Sequence, residues 1–232
     1  LDTEILHQFH DRSKMMMGIL PSGTVPHEPK QRLSSVFWSL PSHQLNNFLH
    51  NSQAHSDWLN QVSKRWKPAA DWLEQVIAQP EQKSQWLTAN YRDVVLSKFG
   101  EGRIGVMGDA AHAMSPQLGQ GANMALLDAW ALGQAVQSAR KNENIDYVQL
   151  WQTYHQHRQS STAFYQFLSR LLTPLYQSDL WWAGGLRDLS FAWMYRIPYF
   201  RKEMAVTISG LKLGMFSQMN YRDIAKQNNH SV

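Results

Sequence analysis

Residues Arg103–Val136, RIGVMGDAAHAMSPQLGQGANMALLDAWALGQAV, decide how the chain is read. Arg103–Met107 is a short apolar run of the kind found in interior strands. Gly108 removes the side chain where the backbone must turn, and Asp109 places a carboxylate at the end of the strand. Pro116 and then Gly119-Gln120-Gly121 mark a second turn. From Ala122 onward the residues are strong helix formers, including Met124, Ala125, Leu126, Leu127, Ala129, Ala131 and Leu132. The pattern predicts strand, acidic loop, glycine turn and long helix.

That order suits a ligand with hydroxyls on one side and an anionic edge on the other. A carboxylate accepts strong hydrogen bonds from hydroxyls. Glycines at 119 and 121 let the backbone approach a flat molecule, because no Cβ intervenes. The first free amides of the following helix point at such a ligand, with about half a positive charge behind them. A reduced flavin has both features, a polyol arm and a negative pyrimidine edge. The plainer alternative is a tight strand–helix connection in which Asp109 only caps a short turn at Ala110–Met114.

Gly108-Asp109-Ala110-Ala111-His112, Pro116, Gly119-Gln120-Gly121-Ala122-Asn123 and Asp128-Ala129 together resemble the second flavin fingerprint of the FAD-dependent aromatic-hydroxylase-type (class A flavoprotein) monooxygenases. The resemblance implies roles for these positions. Asp109, after Gly108, would bind the ribityl chain. Pro116 would lie beside the isoalloxazine ring where oxygen reacts, the one position expected to be catalytic. Gly119, Gln120, Gly121, Ala122 and Asn123 would hold the pyrimidine edge. It also implies FAD as cofactor, NADPH or NADH as reductant, molecular oxygen, and a small apolar or aromatic substrate. Two alternatives stay open: a flavin-dependent reductase or dehydrogenase of the same superfamily, or a non-catalytic remnant or binding module.

Proteins of that superfamily begin with a βαβ unit carrying Gly-x-Gly-x-x-Gly, which holds the pyrophosphate. No such motif occurs in these 232 residues. The expectation is therefore the carboxy-terminal part of a longer flavoprotein, α+β in class, with the dinucleotide-binding βαβ unit absent and supplied by an amino-terminal half. Residues 1–99 would be a substrate-domain portion built on an antiparallel sheet, 100–172 the end of the FAD-binding domain, and 173–232 a helical extension.

The absence of cysteine excludes disulfides, thiolate catalysis and cysteine-ligated zinc. The net charge of +4 is scattered, without the run of like charge that marks a nucleic-acid tail. No leader pattern opens the sequence, and a cytoplasmic setting is expected.

Along the chain, 1–14 is expected to be frayed or helical. Met15–Leu20 and Arg32–Leu40 read as a hairpin with a long connection, broken by Pro21-Ser22-Gly23, Pro26 and Pro29. Met15, Met17, Phe37 and Trp38 line either a substrate pocket or, more simply, a sheet core. Ser42–Ala78 carries helical periodicity interrupted near Trp66-Lys67-Pro68. Residues 94–98 and 103–107 read as a hairpin delivering Asp109, with Arg92 reaching the flavin or pairing with Asp93. A long helix is expected over Asp146–Leu172 with Tyr147, Leu150, Tyr154, His157, Phe164, Phe167, Leu168 and Leu171 on or near one face. Asp109 and His112, three apart, lack a third partner for a metal, so no metal site is expected. The Trp-rich stretch 180–200 is too broken by charge to span a bilayer. It suits packing on the amino-terminal half, or contact with a membrane surface. Thr207–Met219 reads as a last helix.

Overall fold

The computed structural model describes residues 4–11, 13, 15–77, 87–178 and 180–220. The chain packs as two units: Leu1–Ala89 with Tyr176–Gly184, and Asn90–Leu175 with Gly185–Val232. The sequence reading placed its boundaries after residues 99 and 172.

The first unit is a three-stranded antiparallel sheet, β1 (His7–Asp11), β2 (Met15–Val25) and β3 (Glu28–Trp38), in that spatial order. It carries three helices, α1 (Ser42–His50), α2 (Ser52–Arg65) and α3 (Lys67–Ile77). The amino-terminal segment, expected to be frayed or helical, contains a strand instead. Its register pairs His7 with Ile19 and Asp11 with Met15, and Phe9 stacks on Trp66 at 6.3 Å. Tertiary pairing overrides a weak local signal here.

The connection between β2 and β3 is also shorter than expected. Pro21 and Gly23 stay inside β2 and are absorbed by a shift of register between them. β1 pairing ends at Ile19, so Pro21 has no neighbour to miss its N–H on that side. Pro29 sits in β3, an edge strand that tolerates proline for the same reason.

The core reading of the sheet residues holds for Met17 and Trp38. Met17 is buried with Ile19, Phe48, Trp58, Val62 and Leu73, and Trp38 packs against this cluster with Phe48 at 5.0 Å and Trp58 at 4.6 Å. Phe37 lies over Gly18, where an added Cβ would come within 2.2 Å of the ring. The helical stretch divides at Trp66 as expected and again at Asn51, whose side chain caps α2 by accepting from the Gln53 amide at 3.0 Å. Ala78 lies outside the described residues. Ser13 ties in residues 176–184: its hydroxyl donates to the carbonyls of Ser178 and Leu180 at 2.9 and 3.2 Å.

In the second unit the expected hairpin is much reduced. β4 (Gly100–Glu101) and β5 (Ile104–Gly105) pair over two residues each, and Ile104 is 79% exposed rather than interior. Residues 94–98 form no strand. Val94 is held by loop bonds instead, its amide donating to the Ala113 carbonyl at 2.9 Å and its carbonyl accepting from Gln166 at 2.5 Å.

After this hairpin come α4 (Asp109–His112), a 3-10 turn (Pro116–Leu118) and α5 (Gly121–Ala139). A small hairpin follows, β6 (Arg140–Lys141) and β7 (Asn144–Ile145), then α6 (Tyr147–Tyr176), α7 (Ala183–Arg196) and α8 (Pro198–Ile208). α6 does not end at Thr173-Pro174. Pro174 falls in its last turn, where only one ladder bond is lost, and the Thr173 hydroxyl bonds the Ser169 carbonyl at 2.7 Å. The expected helix over Thr207–Met219 does not form. Gly210, at φ +75°, ends α8, and the chain turns back through a bridge between Lys212 and Gln218.

The core of this unit joins Phe99, Ala111, Ala131, Ala135, Leu150 and Tyr154. α6 buries a polar stripe: Tyr154, Arg158, Ser161, Thr162, Tyr165, Gln166 and Ser169. Of the residues expected on or near one face, Leu150 and Tyr154 are buried, whereas Phe167 and Leu171 are exposed.

The β4–β5 hairpin sits on α6 through two glycines. A Cβ at Gly100 or Gly105 would come within 2.4 or 2.1 Å of the Trp151 ring, whose Nε1 donates to the Gly102 carbonyl at 2.9 Å. Gly105→Val must therefore push the hairpin off the indole. Overpacking of this kind costs about 1–3 kcal/mol, visible as a lowered melting temperature, whereas Gly133→Ala, open to space on α5, leaves melting unchanged or raises it.

Candidate functional site

Gly108 adopts φ +60°, a conformation that side chains other than glycine's rarely take, and opens the single turn of α4. Asp109 is the first residue of that turn and faces solvent, while Ala111 and His112 are buried at its end. The 3-10 turn begins at Pro116 and is closed by Gly119 in the left-handed region, whose amide donates to the Pro116 carbonyl at 2.9 Å. α5 starts at Gly121 with no side-chain cap.

Asp109, Pro116, Gly119, Gly121 and Ala122 are all exposed along this stretch. A Cβ at Gly121 would lie 4.0 Å from Asp109 Oδ1, so the carboxylate and the helix entrance are neighbours. A Cβ at Gly119 would meet nothing within 4 Å. Among the described residues the Asp109 carboxylate has no hydrogen-bond partner. The bend is exposed, with a carboxylate beside an uncapped helix entrance.

Gln120 and Asn123 behave differently from their neighbours. The Gln120 side chain is buried and donates to the Ile208 carbonyl at 2.8 Å; Asn123 Nδ2 donates to Gln120 Oε1 at 3.1 Å and to the Ile208 carbonyl at 3.4 Å. Both side chains thus grip the end of α8. What these two positions offer a ligand is their backbone.

Beneath the bend lies a charge network that the sequence reading did not assign. Asp128 of α5 is fully buried. Its Oδ2 accepts from the Gly108 amide at 2.7 Å and pairs with His112 Nε2 at 2.6 Å; its Oδ1 accepts from Arg158 Nε at 2.6 Å. Arg158, 1% exposed, also donates to the Met124 carbonyl at 3.3 Å. His112 therefore serves Asp128, not Asp109. Burial alone would raise the Asp128 carboxyl, but hydrogen bonds from His112, Arg158 and the Gly108 amide outweigh it and hold it below the usual carboxylate range. Tyr154, buried and close to this negative charge, is pushed well above the ordinary phenol range.

Two further bonds from α6 set the loop. Ser169 Oγ donates to the Ser115 carbonyl at 3.0 Å, immediately before Pro116, and Arg170 pairs with Asp93 at 2.7 Å, so Asp93 is taken by α6 rather than by Arg92. Arg158 carried one sequence signal: Leu150, Tyr154, Arg158, Ser161, Tyr165 and Ser169 recur at helical spacing.

Elsewhere in this unit an open groove of about 800 Å³ is lined by Trp130, His157, Phe164, Phe167, Met215 and Met219 and shares no residue with the bend. Among the described residues no three His, Asp or Glu side chains gather as metal ligands would, and no helix is long and apolar enough to cross a membrane.

The fold matches that of flavin-binding proteins. The crystal structure of Klebsiella pneumoniae HpxO complexed with FAD and uric acid superposes with a TM-score of 0.55 at 18% identity, covering 90% of this chain and 48% of that one. Tetracycline destructase Tet(51) gives 0.53 at 18% identity, over 93% of this chain and 51% of its own. In sequence, residues 43–164 match the family described as FAD binding domain, and the chain belongs to that family. The resemblance to FAD-dependent aromatic-hydroxylase-type monooxygenases drawn from Gly108–Ala129 stands with it. Among curated relatives, the chloroplastic zeaxanthin epoxidase of an Oncidium hybrid cultivar is 30% identical over 115 residues, 47% of this chain and 17% of the relative; that of Solanum lycopersicum is 32% identical over 107 residues, 44% and 16%. The chain thus spans about half of the solved structures and aligns to about a sixth of these epoxidases.

The Asp128 network makes the second unit acid-sensitive. A carboxylate depressed in the folded state contributes stability above its unfolded value, and that contribution is lost as pH falls through the depressed one. Melting temperature is expected to drop steeply below about pH 3.9, the ordinary aspartate value, and Asp128→Asn is expected to flatten that part of the profile while lowering stability at neutral pH.

Proposed function

We propose that this chain is the carboxy-terminal part of an FAD-dependent, NAD(P)H-reduced monooxygenase that hydroxylates a small apolar or aromatic compound. The observation that carries the reading is the exposed bend of a FAD-binding-domain family member, in which a carboxylate unpartnered among the described residues lies beside an uncapped helix entrance, with a turn-forming proline between them in sequence. Asp109 would hold ribityl hydroxyls through charge-assisted hydrogen bonds. The amides of Gly121, Ala122 and Asn123 would face the pyrimidine edge, where the helix entrance favours negative charge. Pro116, held in place through Ser115 and Ser169, would flank the ring and shape access to it. FAD, when bound, supplies the redox and oxygen chemistry; the protein supplies orientation, electrostatics and exclusion of water.

The pyrophosphate and adenosine contacts fall to an amino-terminal half. The apolar surface around the bend supports such a partner: Ile104, Val106, Met107 and Leu126 are all exposed. The exposed Leu189, Trp193 and Tyr195 of α7 supply a further apolar face that such a half would cover.

Three measurements test this. The 232 residues alone are expected to bind FAD weakly or not at all; a purified chain carrying stoichiometric flavin absorbance overturns the division of labour. In the holoprotein, Asp109→Ala is expected to weaken FAD binding by about 1.5–3 kcal/mol, the range for a hydrogen bond to a charged group, as measured by flavin fluorescence titration. Unchanged affinity removes Asp109 from the site. NAD(P)H-dependent oxygen consumption with substrate separates a monooxygenase from a reductase of the same fold.

A further inference from the structure

We propose that Asp128 is the positioning residue of the flavin-facing loop: anchored on Arg158 of α6, its carboxylate holds the Gly108 amide and the His112 imidazole and thereby fixes the outward presentation of Asp109. What Asp109 is presented to rests on the flavin reading above; the clamp itself rests on geometry.

The two groups bound to Oδ2 bracket Asp109. Gly108 precedes it and His112 closes the turn that it begins. A four-residue helical turn has no stability of its own, since nucleation costs more than one backbone bond returns. One oxygen of one carboxylate grips this turn at both ends. The other oxygen is committed to Arg158, which reaches past it to the Met124 carbonyl on α5. The loop, α5 and α6 therefore meet at a single buried anion. The residue acts through Gly108 and His112, since Asp128 is itself 0% exposed.

Asparagine is the discriminating replacement. It offers one acceptor oxygen and an N–H donor, so it cannot receive three donors. It also leaves the Arg158 cation without its carboxylate, and Arg158→Met removes that second defect. The test uses the holoprotein with Asp128→Asn, Asp128→Asn/Arg158→Met and Asp128→Glu. It reads FAD dissociation constant, melting temperature, and amide exchange at Gly108 and Ala111–Ala113 after flavin removal. Asp128→Asn is expected to raise the dissociation constant tenfold or more and to speed exchange across the turn. The double variant is expected to regain melting temperature without regaining flavin affinity or exchange protection. Asp128→Glu is expected to restore exchange protection in part.

If the double variant recovers affinity and protection together with stability, Asp128 merely balances a buried charge and the proposal falls. It falls equally if Asp128→Asn leaves exchange across the turn unchanged. Should Asp128→Asn loosen the turn while Asp109→Ala leaves FAD affinity untouched, the clamp stands and the flavin reading fails.

Discussion

A buried anion with three donors on it organises the second unit. Asp128 gives up all its water, a cost that only close pairing and hydrogen bonding repay. It receives one guanidinium, one imidazole and one backbone amide, all at 2.7 Å or less. Each donor comes from a different place: Arg158 from α6, His112 from the end of α4, Gly108 from the bend. Removing one partner from such a buried pair costs about 3–5 kcal/mol, more than the pair itself is worth against an apolar substitute. The arrangement is therefore better explained by where it puts the chain than by net stability. Apolar contact is non-directional and tolerates sliding. Hydrogen bonds between 2.6 and 2.7 Å do not.

The same logic runs along α6. Its buried face donates to backbone carbonyls of segments that have few ladder partners: Gly102 from Trp151, Val94 from Gln166, Ser115 from Ser169, Thr207 from Tyr165 at 2.9 Å. Irregular segments carry backbone groups that must be satisfied somewhere. Here a single helix satisfies several of them with side chains, so the loop around Pro116 is held without a sheet beside it. Tyr165 is raised above its ordinary phenol range, chiefly by burial, and its hydroxyl stays a donor to Thr207 while accepting from the Lys212 amide.

This division explains what the sequence made legible. The bend could be read because glycine and proline fix backbone geometry at their own positions: Gly108 and Gly119 take positive φ where the motif places them, and Pro116 opens its turn. The break at Trp66 could be read for the same reason. α6 is legible as a helix, but which of its residues face inward is not, because burial here does not follow apolarity. Phe167 and Leu171 are out, and Arg158 and Ser169 are in. No rule of residue type foresees that; only the recurring spacing, joined to an unassigned aspartate twenty residues after Gly108, points to it. Strands fared worse where partners decide them. β1 depends on β2 for its existence, and residues 94–98 bond to Ala113 and Gln166 instead of a neighbouring strand.

The bend has two unlike sides. Inward, its polar groups are tied to the protein: Gly108 and His112 Nε2 to Asp128, Gln120 and Asn123 to Ile208, Ser115 to Ser169, while His112 Nδ1 is buried without a hydrogen-bond partner among the described residues. Outward, the Asp109 carboxylate has no hydrogen-bond partner among the described residues and the helix entrance has no side-chain cap, beside Gly119 and Gly121. A loop that merely connected strand to helix would gain by turning Asp109 onto the amides of α5, only a side chain's reach away, and so cap the helix. Among the described residues Asp109 makes no such bond, and α5 begins without a side-chain cap. The polar groups bound to Asp128 lie on either side of Asp109 in sequence, so the turn that carries the carboxylate is held from within while the carboxylate itself faces solvent.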